Sequence, residues 1–252
     1  MLGVSLKMYF SPRRTVEWCT AVAELARRHR AVSSGAASLF VLPAFSSLTA
    51  AIDIFADTAV SVGAQDLFWE DRGPYTGEVS GTDLRDLGCS YVEVGHAERR
   101  YLLGEDDAAV NRKLAAAARN SLTPVLCIGE HEIGSPEEAA ATCIRQLEAA
   151  LDGVDDASPL VVAYEPNWAI GAEHSASADH VAAVSGRLRD WLRTRPGFKA
   201  SRVIYGGSAG PGLLETLGGS VDGLFLGRFA HDPAALELVL DEALALSESR
   251  LA

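Results

Sequence analysis

The stretch "VVAYEPNWAIGA", residues 161–172, decides how this sequence folds. It opens as a buried β-strand of apolar and aromatic side chains and ends on a carboxylate, Glu165, followed by Pro166, Trp168, Ile170 and Gly171. A short apolar run closed by a proline reads as a strand. Working outward, seven more runs of this kind occur: "LGVSL" (2–6), "LFVLP" (39–43), "AVSVGA" (59–64), "YVEV" (91–94), "PVLCI" (124–128), "RVIYG" (202–206) and "GLFLG" (223–227). The strand at 160–165 completes the set of eight.

Between the strands lie longer segments of helical period, among them "TVEWCTAVAELARRHR" (15–30), "DDAAVNRKLAAAARN" (106–120), "PEEAAATCIRQLEAALDG" (136–153), "ADHVAAVSGRLRDWLRTR" (178–195) and "DPAALELVLDEALALSESR" (232–250). Acidic residues stand near their starts and arginines near several ends, as the helix dipole favours. Strand followed by helix, repeated through 252 residues, predicts an α/β protein built as one eight-stranded parallel β/α (TIM) barrel over residues 1–252. On pattern alone a doubly wound open sheet competes.

Composition bounds the partners. A hydrophobic content of 48% supplies a core, and a net charge of −12 repels nucleic acid and anionic membrane surfaces, so an anionic substrate needs local donors. The four cysteines form no CxxC pair and no secretory leader precedes them, which reads as reduced thiols, no zinc and a cytoplasmic setting. Every apolar run is shorter than the roughly 20 residues that span a bilayer. The long polar loop "DLFWEDRGPYTGEVSG" (66–81) is too aromatic for a tether, and "RRHR" (27–30) reads as a solvated helix end.

In a barrel, groups at the carboxyl ends of the strands converge on one mouth. Here those groups are Lys7, then His96 and Glu98 in "GHAERR", then Glu165, then the turns "YGGSAG" and "LGRFAHD". Singly, each has a plain structural reading: an exposed lysine, a core histidine, an ion-paired carboxylate, a tight turn. Together they suit removal of a proton from a carbon beside a carbonyl, which needs a base, an electrophile at the carbonyl oxygen and a fixed cation. Glycine-rich turns leave N–H groups for a phosphate, and "LLETLG" just beyond reads as a short helix whose start would help. After Glu165, the segment Pro166, Asn167, Trp168, Ala169 and Ile170 reads as a lid: the proline stiffens its exit, Trp168, Ala169 and Ile170 make an apolar tip, and Gly171 absorbs the backbone change.

These blocks resemble the triosephosphate isomerase family, nearly end to end: "LKMY" (6–9), "VGAQD", "YTGEVS", "YVEVGHAERR", "AYEPNWAIG" and "YGGS". The resemblance implies Glu165 as base, His96 as neutral electrophile, Lys7 as cation and Glu98 in support, with no metal or organic cofactor. It implies a small phosphorylated sugar substrate whose phosphate lies near Gly171, Ser208 and Gly227. It also implies a homodimer in which loop 66–81 enters a twin subunit, Thr76 bracing the neighbour's site and Glu78 approaching its Arg99.

Three positions depart from the family's pattern: Ser5 for asparagine, Ala97 for serine and Arg228 for a glycine. The first two remove volume around the reacting carbons, and the third adds a cation near the phosphate. The start "GVSLKM" and the ending "GLFLGR" resemble the tetrulose-phosphate branch of the family. That implies conversion of L-erythrulose 1-phosphate to D-erythrulose 4-phosphate, with the triose reaction as the alternative and neutral drift as the plain account of the departures. Two other classes remain open here: a serine hydrolase on Ser208, Asp222 and His231, since "GGSAG" fits G-x-S-x-G, and a non-catalytic phosphate-binding barrel.

Overall fold

The computed structural model describes residues 1–154 and 160–249. Eight strands, β1 (Leu2–Ser5), β2 (Leu39–Leu42), β3 (Val60–Ala64), β4 (Tyr91–Val94), β5 (Thr123–Ile128), β6 (Val161–Tyr164), β7 (Arg202–Tyr205) and β8 (Gly223–Leu226), form a closed barrel in chain order. Each pairs in parallel with the next, and β8 closes on β1 with Val4 opposite both Val41 and Leu226. The expected barrel is present, and the open sheet is ruled out by that closure.

The helices are α1 (Pro12–Arg28), α2 (Arg30–Ser33), α3 (Leu48–Phe55), α4 (Gly81–Leu87), α5 (Ala97–Leu103), α6 (Asp107–Arg119), α7 (Pro136–Leu151), α8 (Ala178–Arg193), α9 (Leu213–Leu217) and α10 (Pro233–Ser249). Their starts follow local chemistry. Ser11, Ser80, Asp106, Ser135 and Ser177 each accept a backbone N–H from the first turn, and Ser135 with Glu138 forms a reciprocal capping box.

Period-two alternation sorts the strand residues into two cores. Phe40, Leu42, Val125, Cys127, Val161, Ala163, Ile204 and Phe225 fill the barrel interior. Leu39, Val41, Val92, Val94, Leu126 and Val162 face the helices. On β4 the inward set is therefore Tyr91, stacked on Phe40 at 4.5 Å, and Glu93.

Two helical expectations change. The helix expected at 15–30 starts three residues earlier, at Pro12, and breaks at His29, whose N–H closes α1 on Leu25 while its Nδ1 accepts the Ala31 N–H and caps α2. The "RRHR" segment is not simply solvated: Arg28, His29 and Arg30 pair with Glu237, Asp241 and Glu248 of α10. The last residue of the helix expected at 232–250, Arg250, lies outside the described residues. Loop 66–81 is ordered by its own rings, with Phe68 against Trp69 and Tyr75. Among the described residues, no helix is long and apolar enough to cross a membrane.

Candidate active site

At the carboxyl ends of the strands lies a cavity of about 610 Å³ lined by Ser5, Lys7, His96, Glu98, Glu165, Gly171, Ser208, Gly227 and Arg228. The sequence-derived groups thus meet in one place.

Lys7 follows β1 with its backbone in the left-handed region (φ 48°), a strained setting for a residue with a side chain, and its carbonyl is braced by the Gln65 amide at 3.1 Å. Its ammonium donates to Glu98 at 2.6 Å. Burial works to lower the Lys7 pKa, but the Glu98 bond and the charges of Glu165, Glu98 and Glu93 outweigh it, so the net shift is upward and the group is a fixed cation.

His96 is the N-cap of α5, and its Nδ1 accepts the Glu98 N–H at 3.1 Å. An accepting Nδ1 carries no proton, so the ring proton sits on Nε2. That Nε2 is buried without a hydrogen-bond partner among the described residues, 3.8 Å from Glu165 Oε2. A donor is therefore aimed into the cavity with nothing yet to receive it.

Glu165 continues the β6 ladder, its N–H donating to the Ile128 carbonyl at 2.8 Å, which points the side chain inward. It is 6% exposed, and its Oε1 also lacks a partner among the described residues. Glycines flank it on both sides. A Cβ at Gly206 would stand 2.7 Å from Glu165 Cγ, and one at Gly129 would stand 1.9 Å from the Glu165 carbonyl oxygen.

At the phosphate end, the backbone N–H groups of Gly171, Ser208 and Gly227 make no protein hydrogen bond among the described residues. Ser208, also left-handed (φ 53°), shares its hydroxyl between the carbonyls of Ala169 and Ala172, 2.8 and 2.9 Å away. The Arg228 guanidinium reaches the Gly171 carbonyl at 3.3 Å.

The family description "Triosephosphate isomerase" matches residues 1–243. The chain belongs to the triosephosphate isomerase family. A relative named L-erythrulose-1-phosphate isomerase, from Pectobacterium atrosepticum, is 53% identical over 98% of this chain and 96% of its own. Another of that name, from Rhizobium etli, is 42% identical over 76% of this chain and 74% of its own. One named Triosephosphate isomerase, from Moorella thermoacetica, is 42% identical over 83% of this chain and 87% of its own.

Four expectations are corrected. The start of α9 does not face a phosphate, because the Glu242 carboxylate of α10 accepts the N–H groups of Gly212, Leu214 and Glu215. The lid has no tip made of Trp168, Ala169 and Ile170. Asn167–Ala169 form a 3₁₀ turn after Pro166, Ala169 is fully buried, the Trp168 indole N–H donates to buried Glu130 at 2.9 Å, and only Ile170 faces the cavity. A tryptophan has a polar edge that seeks a partner when covered. Third, Ala97 does not widen the main cavity as Ser5 does; it lines a smaller adjoining one of about 230 Å³ on the far side of Glu165. Finally, the hydrolase triad is not assembled: Ser208 bonds the lid, Asp222 accepts the Val203 N–H, and the His231 ring packs on Phe10 and Tyr9.

Among the residues expected at a subunit contact, Thr76 and Glu78 are exposed, while Arg99 is already held within the chain by Asp66 and Glu105 at 2.8 and 2.6 Å. Sequence reasoning also missed Gln65, Glu130 and Glu93. Glu93 lies 3.0 Å from Ser5 Oγ and 4.0 Å from His96 Nε2, and burial pushes its carboxyl up to about 7.

Proposed function

We propose that the chain isomerises L-erythrulose 1-phosphate to D-erythrulose 4-phosphate by proton transfer through an enediolate, with no cofactor. The observation that carries this reading is one cavity in which a buried carboxylate oxygen of Glu165 and a buried donor nitrogen of His96 both lack hydrogen-bond partners among the described residues, with the Lys7 ammonium alongside. Glu165 removes the proton from the hydroxyl-bearing carbon beside the ketone. The Nε2–H of His96 bonds the oxygen that gains charge, and Lys7 offsets the remainder. Return of the proton by Glu165 to the former ketone carbon, with the hydroxyl proton passing between the two oxygens by way of His96, moves the carbonyl by one position. Glu98 holds Lys7 and His96 in place.

The N–H groups of Gly171, Ser208 and Gly227, with Arg228, take the phosphate, and the lid from Pro166 to Ile170 covers the reacting carbons and excludes water. The four-carbon substrate is favoured by Ser5, a small side chain that lines the cavity, and by the relative at 53% identity that bears this activity in its name. The triose reaction is the second reading, favoured by relatives such as that of Moorella thermoacetica and needing the same three groups.

The chain acts as one domain and as a homodimer, placed in the cytoplasm. Exposed apolar side chains near the site, Met8 at 92%, Tyr101 at 79% and Leu102 at 75%, support a twin subunit covering this face, with Thr76 and Glu78 of loop 66–81 reaching across. Light scattering of the purified protein tests this, and a monomer mass would refute it.

The substrate is tested by incubating the enzyme with each sugar phosphate in deuterated water and recording the exchanging carbon by NMR. Exchange next to the ketone of L-erythrulose 1-phosphate is expected. A much higher kcat/KM on glyceraldehyde 3-phosphate would replace the four-carbon assignment with the triose one.

A further inference from the structure

A carboxylate beneath the floor of the cavity has no role in the proton transfer above. Glu93 projects from β4 into the barrel interior, where its neighbours along the axis are the apolar residues Phe40, Leu42, Val125, Val161 and Phe225. It is 3% exposed, and Ser5, which it bonds, lines the cavity. A buried ionisable group in such surroundings is costly unless it is engaged. Its engagements all lead to the site. Oε2 bonds Ser5 Oγ at 3.0 Å, and Oε1 lies 4.0 Å from His96 Nε2 and 3.9 Å from Cys127 Sγ.

We infer that Glu93 is a positioning residue that selects the four-carbon substrate: its carboxylate takes the Ser5 hydroxyl proton and leaves the Ser5 oxygen facing the cavity as an acceptor for the substrate's terminal hydroxyl. The inference rests on the proposed L-erythrulose 1-phosphate reading.

A serine hydroxyl carries a single proton. An ionised carboxylate has no proton to give, so across the 3.0 Å contact Ser5 must be the donor, and its remaining lone pair points elsewhere. Ser5 lines the cavity and shares Glu93 with His96 Nε2, so its oxygen lies beside the donor that marks the reacting carbons, and the extra carbon of a four-carbon substrate is attached to one of those carbons. L-Erythrulose 1-phosphate has a hydroxymethyl group there, and a triose phosphate has only hydrogen. A site that fixes an acceptor against a substrate hydroxyl discriminates against the analogue that lacks it. The same carboxylate also lies below His96 Nε2 and helps keep that donor between two oxygens, Glu93 Oε1 and Glu165 Oε2.

The arrangement also titrates. Burial raises the Glu93 carboxyl to about 7, with the Glu165 charge adding to the rise and His96, Lys7 and the Ser5 bond opposing it. The charged and titratable groups facing it are Lys7 after β1, His96 after β4, Cys127 on β5 and Glu165 after β6. Below neutrality the carboxyl becomes an acid that donates to Ser5, which frees the Ser5 proton to point into the cavity and reverses the polarity offered to the substrate.

The test measures kcat and KM across the neutral pH range on L-erythrulose 1-phosphate and on glyceraldehyde 3-phosphate, for the wild type, Glu93→Gln, Glu93→Val and Ser5→Ala. For Glu93→Val and Ser5→Ala, kcat/KM for the four-carbon substrate should fall on the order of 100-fold, and for the triose by less than about tenfold, while Glu93→Gln, whose amide oxygen still accepts the Ser5 proton, should lose less. The wild-type profile on the four-carbon substrate should fall off below neutrality more steeply than the triose profile, and Glu93→Gln should abolish that difference. Equal losses on both substrates, or superimposable wild-type pH profiles, would overturn the role of Glu93 and leave the isomerase reading intact. A wild type with no activity on L-erythrulose 1-phosphate would sink that reading and this inference with it. Glu93→Gln keeps the side chain's shape should Glu93→Val fail to fold, and the wild-type profiles need no variant.

Discussion

The Arg228 guanidinium donates to the Gly171 carbonyl at 3.3 Å, joining the turn after β8 to the far end of the lid. The contact is exposed, so as a bare interaction it is weak, but it parks a cation beside the free N–H groups of Gly171 and Gly227. Arg228→Ala should raise KM for the phosphorylated substrate about tenfold with a smaller change in kcat, because the lost contact is to a group that does not react. Steady-state kinetics at low and high salt would check it, and an unchanged KM would show that the arginine serves the lid alone.

Glu165→Asp withdraws the carboxylate from the reacting carbon by about one bond length, and a misplacement of that size costs on the order of 100-fold in rate. Turnover should fall by at least that factor while binding of a phosphorylated inhibitor, followed by calorimetry, holds within a few-fold. A large loss of binding instead would mean that Glu165 shapes the cavity and does not act as the base.

Trp168→Phe removes the indole N–H from the Glu130 carboxylate and leaves that buried group with one donor fewer, since Tyr164 also bonds it at 3.2 Å. The expected cost is about 1 to 3 kcal/mol of stability, read from urea unfolding. The lid turn is anchored by the same contact, so kcat/KM should fall as well. A variant as stable and as active as the wild type would show that the bond exchanges freely with water.

Glu93 gives the protein an unusual pH dependence of stability. Its ordinary value is 4.5 and its value in the fold is about 7, so the folded state holds the proton more tightly than the unfolded chain. That contribution is complete below 4.5 and is lost as pH rises through about 7, a change of about 3 kcal/mol. Glu93→Gln escapes the loss. Denaturant unfolding at about pH 5 and about pH 8 should show the variant gaining on the wild type at the higher pH. A difference that stays flat with pH would contradict the burial cause.

The eight strands were legible because runs such as "LFVLP" and "PVLCI" are apolar on both faces, as strands sandwiched between interior and helices must be. Lys7, His96 and Glu165 were legible because each stands within two residues of the end of a strand run, where charge has no packing reason to be. Glu93 was not. In "YVEV" the alternation sets a glutamate opposite two valines, which in an open sheet means a solvated face; in a closed barrel the second face is the interior. The capping of α9 by Glu242 escaped for a different reason, since the partner lies on another helix 28 residues from Leu214 and no local pattern announces it. Trp168 was misjudged by counting it as wholly apolar when its N–H decides where it goes.

The two glycines that crowd Glu165 have a bearing on attempts to redesign this barrel. With no space for even one methyl at 129 or 206, the seat of the carboxylate tolerates no sequence variation on either side, whereas the surroundings of Gly227 and Arg228 are open. Libraries meant to retarget the enzyme toward other sugar phosphates will therefore yield live clones from the turn after β8 and dead ones from codons 129 and 206.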